Sequence, residues 1–102
     1  MINKEKVIQS IFEAIDEINE QLPRDKRLGK SINTALFGND GNLDSLGLIS
    51  LITSLEQKIE ENLGITVTIL EKMEDIEDKN PFETVKSLTD YLSFFLENKS
   101  NE

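Results

Sequence analysis

Residues 43–55 read Leu43-Asp44-Ser45-Leu46-Gly47-Leu48-Ile49-Ser50-Leu51-Ile52-Thr53-Ser54-Leu55. Within and beyond this stretch, Leu48, Ile49, Leu51, Ile52, Leu55, Ile59 and Leu63 recur at helical spacing. They form one broad apolar stripe. Asp44 and Ser45 are both good capping types, because their side-chain oxygens accept orphan backbone N–H bonds. A helix is therefore expected to begin at Asp44 or Ser45. Gly64 offers a natural stop, since glycine takes the left-handed conformation cheaply. This helix is the most apolar of the chain and is expected to be central.

Upstream, Val7, Ile8, Ile11, Phe12, Ile15, Ile18 and Leu22 lie on one helical stripe. Pro23 ends it, because the residue before a proline is pushed out of the α region. About twenty helical residues span roughly 30 Å. Residues 23–43 then read as a long loop. It starts with Arg24, Lys26, Arg27 and Lys30 and ends in Gly38-Asn39-Asp40-Gly41-Asn42. Ile32, Leu36 and Phe37 are expected to pin it to the core. A structureless loop of this length is uncommon in a compact domain and is often functional.

Downstream, Ile65, Val67 and Ile69 alternate with Thr66 and Thr68. Periodicity alone would make this a strand. No second convincing strand exists to pair with it, so it reads as an extended loop. A short, weak helix follows near residues 70–77. Asn80-Pro81-Phe82-Glu83 then has a capping residue, proline at the first helical position and Glu three residues past the cap. Val85, Leu88, Leu92, Phe95 and Leu96 give the last helix its stripe, with Tyr91 flanking. The expected fold is all-α: a small four-helix bundle with three major helices, one short helix and a long loop between helices 1 and 2. Residues 1–97 form a single domain and 98–102 a flexible polar tail.

Composition narrows the function. Eleven basic and 20 acidic side chains give a net charge of −9. Residues 1–30 hold six of each sign; residues 31–102 hold five basic and fourteen acidic ones, which is the whole imbalance. Binding to nucleic acid through phosphate neutralisation is not expected of such a chain. With 0 Cys and 0 His there are no disulfides, thiolate metal sites, Cys nucleophiles or His-dependent triads. No apolar run suggests stable membrane insertion, and residues 1–6 hold no signal-peptide core. A cytoplasmic protein that is not an enzyme is expected.

Few motifs carry chemistry. Asp40-Gly41-Asn42-Leu43-Asp44 imitates the start of a calcium loop, but position 6 is Ser45 and position 12 is Leu51. The turn glycine and the bidentate Glu are both missing. There is no Walker phosphate loop and no Gly-x-Ser-x-Gly elbow. Asn98-Lys99-Ser100 matches the glycosylation sequon without a secretion signal. Ser45 remains. It follows a long loop, opens an unusually apolar helix and has Gly47 beside it. A phosphate ester there gains about 0.3–1 kcal/mol from the helix dipole. Asp44 opposes this by like-charge repulsion.

In this setting the chain resembles the acyl carrier proteins and related peptidyl carriers. Their Asp-Ser-Leu signature stands here as Asp44-Ser45-Leu46. The likeness continues through residues 48–56, Gly64-Ile65-Thr66-Val67 and residues 84–92, and covers residues 3–96 in all. It implies that Ser45 accepts 4′-phosphopantetheine from coenzyme A by the action of a phosphopantetheinyl transferase. The arm's thiol would carry acyl or aminoacyl groups as thioesters, presented to acyl-loading and acyl-processing enzymes. The resemblance also implies a monomer. The apolar faces of helices 2 and 4 could shelter a bound chain or could simply be core. Two departures point to a specialised biosynthetic pathway. Helix 2 is uncharged at its early exposed positions, with acids starting only at Glu56, and residues 71–79 are long and acidic. The competing reading is an unmodified acidic helical interaction module, in which Ser45 is only a cap.

Overall fold

The computed structural model describes residues 3–38, 43–69 and 81–100. These residues hold three α-helices and no strand: α1 (Lys4–Gln21), α2 (Ser45–Leu63) and α3 (Val85–Ser100). The short helix expected near residues 70–77 lies outside the described residues. No described helix is long and apolar enough to cross a membrane.

Each helix starts and stops for a local reason. Asn3 caps α1, its Oδ1 accepting from the N–H groups of Glu5 and Lys6. Leu22 leaves the helix in extended conformation before Pro23, as the proline demands. Asp44 caps α2, and Gly64 ends it at φ +69° with its N–H donated to the Glu60 carbonyl. α3 starts later than the sequence suggests, at Val85 and not at Pro81. The loop between α1 and α2 is the cause. Leu36 and Phe37 donate to the carbonyls of Glu83 and Phe82, which a helix starting at Pro81 would need for its own first turns. In return, the carbonyls of Thr34 and Ile32 accept from Val85 and Lys86. Thr84 and Ser87 close the cap reciprocally, side chain to backbone N–H, at 3.1 and 3.0 Å. α3 runs to Ser100, over the first residues of the polar stretch 98–102.

α1 packs against both α2 and α3. The stripes predicted from periodicity bury Val7, Ile11, Ile15, Leu51, Ile52, Leu55, Ile59, Val85, Leu88, Leu92 and Leu96 completely. Each contributes roughly 1.5–3 kcal/mol before entropy is subtracted. One stripe residue departs from the expectation: Ile49 is 44% exposed; Leu46, outside the stripe, is 76% exposed. The long loop is not structureless. Leu28, Leu36 and Leu43 are buried, whereas Ile32, expected to be a pin, is 46% exposed. Ile32 contributes its backbone carbonyl to α3 instead. The Asn19 side chain holds Leu28 with two hydrogen bonds, 2.8 and 2.7 Å, donating to its carbonyl and accepting from its N–H. Downstream of α2, Val67 and Ile69 are buried and Thr66 and Thr68 exposed. The alternation is real but unpaired as a strand: the Ile69 N–H goes to the Glu56 carboxylate at 2.6 Å.

Candidate functional site

Ser45 is the first residue of α2 and is exposed. Its hydroxyl has no hydrogen-bond partner among the described residues. The capping task falls to Asp44, whose Oδ1 accepts from the Gly47 N–H at 2.7 Å, while its carbonyl accepts from Leu48 at 2.9 Å. The two candidate caps thus divide the roles, and Ser45 is not the cap. Just before them, Leu43 is buried and donates its N–H to the Leu36 carbonyl at 3.1 Å. The chain is therefore anchored on both sides of the serine. Gly47 leaves room for this anchor: a Cβ there would sit 3.1 Å from Leu43 Cδ2 and 3.2 Å from Asp44 Oδ1, so one of those side chains would have to give by a few tenths of an ångström. Removing the cap as Asp44→Ala is expected to lower stability by about 0.5–2 kcal/mol, read by urea denaturation. A loss no larger than that of an ordinary surface change would count against the cap.

A polar seam between α1 and α2 fixes their relative register. Asn62 donates to Ser10 Oγ and to the Glu13 carboxylate, both at 3.0 Å. One turn on, the Ser54 hydroxyl donates to Glu17, and Lys58 pairs with Glu17 at 3.2 Å. Rising numbers on α1 meet falling numbers on α2, so the helices are antiparallel. The end of α1 and the 3-10 turn Arg24–Lys26 therefore lie at the Ser45 end of the bundle. Arg24, Lys26 and Arg27 are exposed there, whereas Lys30 is tied to Asp16 at 3.2 Å. An otherwise acidic chain thus carries exposed cations at the same end of the bundle as its exposed serine.

The seam titrates. Hydrogen bonds from Asn62 and then Gln9 hold the Glu13 carboxyl below its ordinary value of 4.5. The Ser54 hydroxyl and then Lys58 hold Glu17 below the same value. Hydrogen bonding to Glu17 raises Lys58 above 10.5. A depressed carboxyl favours the folded state above its unfolded pKa, and that contribution fades as pH falls through its folded value. A raised lysine contributes below its unfolded pKa and loses that contribution as pH rises through its folded value. Melting temperatures taken from neutral pH down to about 3 are therefore expected to fall less steeply in Glu17→Gln than in the wild type. Parallel curves would refute the contribution of Glu17.

A groove of about 290 Å³ opens between α1 and α2, starting one turn beyond Ser45. Ile49, Ser50, Thr53 and Gln57 line it from α2, and Ile18 and Gln21 from α1. No single-residue motif announces it; it exists because of the pairing register. The imitation calcium loop is defeated at its last position, since Leu51 is fully buried. Among the described residues no cluster of three acidic, His or Cys side chains could hold a metal ion. No family model matches the chain, no curated protein matches it, and no solved structure matches it.

Proposed function

We propose that this protein is an acyl carrier, modified on Ser45 with 4′-phosphopantetheine, for a specialised biosynthetic pathway. The observation that carries the reading is the exposed, unpartnered Ser45 hydroxyl on a rigidly anchored helix start. A serine whose hydroxyl served only as a cap would be occupied by a backbone N–H; here Asp44 does that work. The fit to the group is good. The hydroxyl faces solvent, and the N–H groups of Ser45 and Leu46 have no acceptor among the described residues. Such N–H groups at a helix start attract a phosphodiester. In the modification, Ser45 Oγ bonds to the phosphorus bearing the pantetheine of coenzyme A. The pyrophosphate P–O bond breaks, adenosine 3′,5′-bisphosphate leaves, and the transferase takes the hydroxyl proton. The attached group supplies a thiol, which this chain lacks, for carrying acyl or aminoacyl cargo.

Several features support specialised partners. The exposed face of α2 near Ser45 offers Leu46, Ile49, Ser50 and Thr53, with no charge. Partner enzymes reading this face would use apolar contact more than cationic steering of the kind that speeds encounter. The exposed Arg24, Lys26 and Arg27 would repel a basic docking surface. The test is intact mass after incubation with coenzyme A, magnesium and a broad-specificity phosphopantetheinyl transferase. A chain that stays unmodified with several transferases, while remaining folded, would sink the proposal.

A further inference from the structure

The groove between α1 and α2 has no assigned occupant. Its position, size and chemistry single one out. We infer that it seats the pantetheine portion of the arm on Ser45, between rounds of delivery; the inference rests on the carrier reading above.

Position comes first. The groove begins at Ile49 and ends at Gln57 on the same helix that starts with Ser45. From Ser45 to Gln57 the helix rises about 18 Å, at about 1.5 Å per residue. The arm has about fourteen bonds from serine oxygen to sulfur, close to an extended five-residue peptide, or about 17 Å. An arm laid along α2 therefore spans the groove and ends near Gln57. Size agrees. A volume of about 290 Å³ lies at the lower edge of ligand pockets, which run from about 300 Å³ upward. It suits a slender linear group and leaves no room for a long chain beyond it.

Chemistry separates the arm from its cargo. Pantetheine carries two amides, a hydroxyl and one gem-dimethyl group. The groove offers the side chains of Gln21, Ser50 and Gln57, none with a partner among the described residues. The half-exposed Ile49 stands at the mouth, where the gem-dimethyl group, close to the phosphate, would lie. A hydrocarbon chain would gain little, because the groove is open to solvent and includes the Glu17 carboxylate in its lining, so much of the chain's apolar surface would stay in water. Tethering helps: a short linker gives an effective concentration in the millimolar range, so weak contacts suffice.

The test uses the full chain labelled with ¹³C and ¹⁵N and carrying an unlabelled arm, with modification verified by mass. Filtered nuclear Overhauser spectra are expected to connect the gem-dimethyl protons to Ile49. Amide shifts relative to the apo form should extend through Ser50, Thr53 and Gln57. In modified Thr53→Arg, which fills the groove, those shifts should vanish and the arm's thiol should be alkylated faster. A modified chain whose shifts stop at residues 44–47, with no contact to Ile49, overturns the groove assignment and leaves the carrier reading standing. A chain that takes no arm overturns both.

Discussion

Ser45→Ala is expected to abolish modification completely, whereas the wild type gains the mass of one phosphopantetheine. The loss is all-or-none because Asp-Ser-Leu occurs once in the sequence, and among the described residues no other one presents an unpartnered hydroxyl at an anchored helix start. Stability should barely change, within about 0.5 kcal/mol, as for surface sites away from special features. The Ser45 side chain is exposed and caps nothing; Asp44 holds the Gly47 N–H. Loss of modification in a fully folded variant is thus a chemical result and not an unfolding artefact. The interaction-module reading expects the opposite pair: no mass gain in either protein, and partner binding unaffected by the substitution. Once modified, the wild type should be a poor substrate for a housekeeping ketoacyl synthase system, because the first turns of α2 expose no acid. Efficient elongation would remove the specialised part of the reading.

Leu36→Ala is expected to cost about 2–5 kcal/mol, the range for emptying a fully buried leucine site. A chain of this size holds only about 5–15 kcal/mol in total. The variant should therefore lose a large share of its stability, visible as a lower urea midpoint. Leu36 has 0% exposure, and its backbone meets both ends of the fold: its N–H goes to Glu83 and its carbonyl accepts from Leu43. Emptying this site loosens the anchor behind Ser45 as well as the bridge from Ala35 to Thr84. Ile32→Ala, four residues earlier, should change stability by no more than about 0.5 kcal/mol. Equal costs at the two positions would show that the loop does not enter the core as described.

The comparison of those two leucine-like residues shows where sequence reading stops. Both sit in an aperiodic loop, where spacing says nothing about which side chain turns inward. Helical stripes are different. Val7, Ile11 and Ile15, or Leu48, Ile52, Leu55 and Ile59, report their own burial, because a 3.6-residue period puts them on one face whatever that face meets. The stops at Pro23 and Gly64 were equally legible, since backbone restriction and backbone freedom are properties of single residues. The start of α3 was not. A good local cap at Asn80-Pro81 was overruled by loop residues 32–37, which took the carbonyls of Phe82 and Glu83.

The candidate site divides along the same line. Asp44 and Ser45 are recognisable from residue type and position alone, as the two oxygens able to open an apolar helix. Which of them caps, and which stays exposed, depends on how Leu43 is drawn into the core beside Gly47. The groove, and the placing of the cationic turn at the Ser45 end, depend on the pairing of α1 with α2, set by Asn62, Ser54 and Lys58 reaching partners 37 to 52 residues away. The sequence by itself determined the three long helices, most of their boundaries and the serine at issue, because periodicity and backbone preference are local. Only the tertiary structure decided the loop's buried residues, the register and the shape of the surface around Ser45. Those arise from contacts between segments distant in the chain, and no local pattern encodes them.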